Sequence, residues 1–199
     1  MLDDLEVKAE SAVGVTCREV EIRIRKLDHE RGYIIGRDGR VREETIGEDR
    51  RVDMDWASIV QGEISVHNHV VDDFSPPSPR DWLMLLDWPA GEMRVVSENW
   101  TYTLKAPAGG WPFNHRFRRY WTGEKMRFGL NLKEMIVAVP RRINDLLPHW
   151  YDDERKRQEG SELLHQAWME IAREVGAAYS REPAWEKLLG EMEDDQVTQ

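Results

Sequence analysis

The chain has 199 residues, 40% of them hydrophobic, a net charge of −10 and one cysteine, Cys17. That length suits one domain, or one domain with an appendage; the acidic balance argues against a nucleic-acid partner, because phosphate binding needs a clustered positive field, although Arg116, Arg118 and Arg119 form one local basic stretch. A lone thiol excludes an intramolecular disulfide and any cysteine-built zinc knuckle; with an acidic start (MLDDLEVKAE) and no apolar run of about 18 residues, a cytoplasmic chain without a membrane partner is expected.

Residues 1–13 read as a loose acidic lead-in. Val20, Ile22 and Ile24 alternate with charged residues, which predicts a strand with one wet face. Tyr33 to Ile35 and Arg40 to Arg42 flank an Asp38-Gly39 step, a hairpin signal. Residues 43–55 read as a charged loop and Trp56 to Val60 as one turn of helix. Glu63 to Val70 alternates again, with Ile64 and Val66 on one face and Ser65, His67 and His69 on the other. After the loop VDDFSPP, Ser78-Pro79-Arg80-Asp81 opens a helix through Trp82 to Leu86. Met93 to Val96 and Thr101 to Leu104 read as strands, and 105–124, rich in Gly, Pro and aromatics, as a structured loop. Met135 to Val139 fits a strand or a short helix. Residues 152–179 carry Leu164, Trp168, Ile171 and Val175 at helical spacing, and Glu182 to Met192 reads as another helix. The expected class is α/β: a mixed sheet flanked by helices over 14–139, with a C-terminal helical extension over 140–199.

Side chains at i and i+2 of a strand share a face, roughly 7 Å apart, so His67 and His69 project together. Two neutral imidazoles on one rigid strand make half of a zinc site. Asp81, at the start of the next helix, can join them if that helix packs back through Trp82 and Leu85, leaving a fourth position for water. Each part has an ordinary explanation as well. Paired histidines occur by chance on exposed strands. Ser78 is a good N-cap, Pro79 suits the first helical position, and Asp81 sits near the positive end of the helix dipole.

His67-Asn68-His69 followed by Ser78-x-x-Asp81 resembles the signature of JAMM-type (JAB-like, MPN-type) zinc metallopeptidases: His-x-His, a loop, then Ser-x-x-Asp. The resemblance runs from about Glu30 to Leu104 and includes VVSENWTYTL, similar to the strand pair that follows the motif in JAB-like domains of bacteria and their phages. It implies a cytidine-deaminase-like mixed sheet, a Zn2+ ion held by His67, His69 and Asp81, and an upstream glutamate as general base and then general acid. Glu30-Arg31-Gly32-Tyr33 resembles that glutamate's strand, so Glu30 is assigned the role, with Glu43, Glu44 and Glu63 as rivals. Ser78 is implied as a donor to the developing oxyanion. The implied substrate is a protein or peptide, including one with a ubiquitin-like tail, cut at a peptide or isopeptide bond. Two departures from the pattern are Val70, where the family usually has Pro, and a loop to Ser78 one residue longer than usual.

A different class of function is a catalytically silent JAB-like binding or assembly module, similar to segments attached to phage head-morphogenesis proteins. A metal-dependent nuclease is suggested by the letters His-Asn-His alone; that class spreads its residues over a longer unit, and this chain is acidic. The aromatic loop at Trp111, Phe113, Phe117, Tyr120 and Trp121 reads first as hydrophobic packing and second as a cleft lining. His115 is not assigned as a ligand.

Overall fold

The structure is a computed structural model that describes residues 12–47, 62–70, 75–87, 91–119, 125–150 and 152–184. In chain order the elements are α1 (Ala12–Ile24), β1 (Arg31–Ile35), β2 (Val41–Ile46), β3 (Ile64–Asn68), α2 (Pro79–Asp87), β4 (Glu92–Val96), β5 (Trp100–Lys105), β6 (Phe117–Arg119), β7 (Lys125–Leu130), α3 (Leu132–Leu146), α4 (Glu154–Val175) and β8 (Ala178–Pro183). The main sheet has six strands in the order β2-β1-β3-β4-β5-β8, and β6 and β7 form a separate hairpin. Every pairing in the main sheet is antiparallel except β3 with β4. The chain is therefore a mixed α/β structure, as its alternating patterns predict. None of the described helices is long and apolar enough to cross a membrane.

The sheet is covered on both faces. On one side α1 closes a small cluster of Cys17, Val20, Ile24, Tyr33, Ile35, Ile64, Val66 and Val96. On the other, α2, α3 and α4 build a larger core with Ile34, Met93, Val95, Tyr102 and Leu104 of the sheet. Trp82 and Trp168 are fully buried there, their rings 5.1 Å apart. Aromatic rings of this size carry a large share of the burial energy.

Several expectations need correction. The strand expected at Val20 to Ile24 is the last part of α1. Its buried residues, Cys17, Val20, Glu21 and Ile24, follow a helical period, and Ile22 faces outward at 45% exposure. Glu21 misleads the pattern, because it is buried by pairing with Arg94 rather than left in water. The charged loop expected from residue 43 begins as strand: β2 runs to Ile46 on the edge of the sheet, where charged side chains are tolerated. Met135 to Val139 lies within α3, whose start is fixed by reciprocal bonds between Asn131 and Glu134. Helix α4 stops at Val175, because Gly176 takes a left-handed conformation with φ 75°. The chain then returns as β8 against β5, so Glu182 is in a strand. Residue 140 falls inside α3, and the segment after it adds α4 and β8 to the same core and sheet, not a helical extension alone. The turn expected at Trp56 to Val60 and the helix expected from 185 to 192 lie outside the described residues.

Candidate metal centre

Strand β3 is buried along its whole length because both its faces are covered. Ile64 and Val66 enter the α1 cluster, so the period of two turns Ser65, His67 and His69 toward α2. Strands β3 and β4 are parallel, and a parallel pair needs a crossover between them. Helix α2 is part of that crossover. Its apolar residues Trp82, Leu85 and Leu86 pack into the core, which lays its first turn beside the histidine face.

The start of α2 is set by a reciprocal cap. The Asp81 backbone N–H donates to Ser78 Oγ at 3.2 Å, and the Ser78 backbone N–H donates to Asp81 Oδ2 at 2.6 Å. This is the Ser-x-x-acid capping arrangement with Asp in the usual Glu position. It also aims the carboxylate. Asp81 Oδ1 lies 3.2 Å from His67 Nε2, and Oδ2 lies 3.3 Å from His69 Nε2. The two Nε2 atoms are 3.3 Å apart, and one ligand atom from each of the three residues falls within 4.8 Å of the others. His67 and Asp81 are buried and His69 is half-buried.

The electrostatics follow from this enclosure. Burial opposes a charged His69, but the bond to Asp81, the Asp81 charge, the more distant charge of Glu30 and the Ser75 backbone together hold its pKa above the usual value. Burial likewise opposes the Asp81 carboxylate, yet the charges and hydrogen bonds of His67 and His69 hold its pKa well below the usual range. Two ring nitrogens in near contact cannot both direct lone pairs at each other without a proton or cation between them. His67 Nδ1 is buried with no hydrogen-bond partner among the described residues, so what Nε2 meets decides that ring's orientation. Two imidazoles and one carboxylate, converging from a strand and a helix, are donors of the kind that hold a divalent metal ion. His67, His69 and Asp81 thus lie close enough to bind one metal.

No family model matches this chain, and no curated protein or solved structure matches it.

Glu30 is buried just before β1, and its backbone carbonyl accepts from Gly47 at 2.8 Å. Gly32 stands opposite His67 at the end of the β1–β3 ladder, and two residues before it the charge of Glu30 acts on His69. The rival glutamates meet other groups. Glu44 accepts from Tyr33 at 2.7 Å and from Arg31 at 2.9 Å. Glu43 accepts from Thr45 on the same strand. Glu63 lies at the far end of β3 from His69, with Arg42 at 3.6 Å.

Two supports were not visible in the residue pattern. Trp168 of α4 donates from Nε1 to the Pro77 carbonyl at 2.7 Å, pinning the approach to α2. Asn68, between the two histidines, spans to β1: its Nδ2 donates to the His29 carbonyl at 3.1 Å, and its Oδ1 accepts from the Arg31 N–H at 2.7 Å. In the aromatic loop, Trp111 packs at a tilt against Trp82 and donates to the Leu85 carbonyl, and Phe117 is buried, so both serve packing. Phe113 is exposed, whereas Tyr120 and Trp121 lie outside the described residues. His115 meets Glu174 at 2.7 Å and the edge of Phe117.

Proposed function

We propose that this chain is a zinc-dependent hydrolase of JAB/MPN-like fold that cleaves a peptide or isopeptide bond in a protein or peptide substrate. The observation that carries the reading is the convergence of His67, His69 and Asp81 within 4.8 Å, from a strand and the capped helix that follows it. The likeness of these residues and Glu30 to the JAMM signature supports the same reading.

When bound, zinc supplies an acidified water and a polarised scissile carbonyl. The protein's own residues do the rest. His67 and His69 offer ring nitrogens as ligands, and Asp81 stays ionised because its pKa is held down. Glu30 is the proton carrier: its carboxylate takes a proton from the attacking water and returns it to the leaving amine. Ser78 Oγ accepts from the Asp81 backbone, which leaves its own hydrogen free to donate toward the developing oxyanion. Removing donors of that kind costs about 3–4 kcal/mol of transition-state stabilisation.

The test is metal content and turnover on the untagged full chain. Wild type is expected to carry about one zinc per chain, as structural and catalytic sites of this donor set do. His67→Ala should lose the zinc. Glu30→Gln should still fill the site when zinc is in excess, and lose cleavage across a panel of peptides and isopeptide-linked ubiquitin-like conjugates. A wild type that takes up no zinc, or a Glu30→Gln variant with undiminished turnover, overturns the hydrolase. Zinc uptake without cleavage of any panel member favours the binding or assembly module instead.

A further inference from the structure

We infer that Asn68 is a positioning residue that holds Glu30 against the metal centre; the inference rests on the hydrolase reading above. The paired backbone of β1 and β3 runs from Ile35 opposite Ile64 to Gly32 opposite His67 and is not continued to Glu30. Beyond Gly32, the Asn68 side chain takes over. It satisfies one backbone group on each side of Glu30, the His29 carbonyl at 3.1 Å and the Arg31 N–H at 2.7 Å. The amide is the side chain suited to this task, because it offers a donor and an acceptor side by side, as a peptide group does. Asn68 is 1% exposed, so these bonds face little competition from water.

On the outer side of β1, the Gly47 N–H donates to the Glu30 carbonyl, so the backbone around Glu30 is held from both neighbouring strands. A fixed backbone at residue 30 keeps the carboxylate where its charge acts on His69, and so on an ion that His69 would hold. The residue between the two ligands therefore ties the proton carrier to the metal strand. A catalytic group needs such a support, since small displacements cost large factors in rate.

The test is a double-mutant cycle on zinc affinity, measured by competition with a chelator and independent of activity. Glu30→Gln removes a nearby charge and is expected to weaken zinc binding on the order of tenfold. Asn68→Ala releases the same carboxylate and should weaken binding by a similar factor. The double variant should bind about as well as the weaker single variant, because both changes remove one contribution. Asn68→Leu, which keeps most of the buried volume but neither hydrogen bond, replaces the alanine variant if that one does not fold. Independent effects, multiplying to roughly a hundredfold in the double variant, would overturn the positioning role while leaving the zinc site intact. An unchanged affinity in Asn68→Ala or Asn68→Leu would do the same. Failure of wild type to bind zinc overturns both the hydrolase and this inference.

Discussion

The two faces of the sheet bury charge in opposite ways. Under α1, every buried acid described is met by a guanidinium or an amine. Glu21 pairs with Arg94 at 2.7 Å, Arg94 with Glu92 at 2.6 Å, and Glu92 with Lys105 at 2.9 Å. Arg25 crosses the same face to the Ser97 and Trp100 carbonyls and to Thr101. Each acid in this network meets a fixed cation, which marks it as structural. On the other face, Asp81 is met by two imidazoles and a backbone N–H. Imidazoles are neutral or charged according to what approaches them. One face has its cations built in; the other presents a ligand set with room in its chemistry for one. Buried charge alone does not mark a functional site. A carboxylate facing imidazoles in place of fixed cations is the more informative sign.

The largest effect that would sharpen this contrast comes from the balanced face. Glu21→Ala removes the buried partner that half-buried Arg94 meets on α1, and should destabilise the fold on the order of 3 kcal/mol in urea unfolding. Added zinc should restore none of the loss. A loss below about 0.5 kcal/mol, the size of an ordinary surface change, would show that the network under α1 is not structural.

The next effect is a pH dependence on the aromatic face. Burial first, and Arg181 second, push His165 down to about 4 against the opposing charge of Glu162. A histidine depressed when folded adds stability that is complete above its unfolded pKa of about 6.5. That stability is lost as pH falls through the folded value of about 4. Wild type should lose roughly 1–2 kcal/mol more than His165→Gln between these limits, allowing for partial solvent screening. Parallel stability–pH curves would mean that His165 is not held neutral by its surroundings.

The smallest effect tests the join between site and helix. Ser78→Ala removes the acceptor for the Asp81 N–H and should cost about 1 kcal/mol of stability. Zinc affinity should fall as well, because the same cap aims the Asp81 carboxylate. A stability loss with unchanged zinc affinity would separate the cap from the metal centre.

Much of the site was legible because its signals are local. The His-x-His alternation, the Ser-Pro helix start and the Asp-Gly turn each depend on neighbours within a few residues, and β3, α2 and the β1–β2 hairpin stand where those patterns put them. What escaped depends on distant partners. Glu21 looks like a solvated residue until Arg94 is placed beside it, and so α1 reads as a strand. Ala178 to Pro183 follows a helix without an apolar alternation, and only pairing with β5 makes it a strand. Asn68 reads as a spacer between two ligands, because its hydrogen bonds reach a segment far back in the chain. Trp168 reads as core, which it is, but its bond to Pro77 cannot be inferred from helical spacing.

The parallel pairing of β3 with β4 has a consequence for assembly of the fold. His67, His69 and Asp81 all belong to one strand–helix–strand stretch between Ile64 and Val96. An ion gripped there would staple a strand to its own return path, before the helices from later in the chain need to dock. Ligand coordination would then guide chain folding in that stretch as well as serve chemistry. Amide protons in β3 and the first turn of α2 should exchange more slowly once the ion is in place.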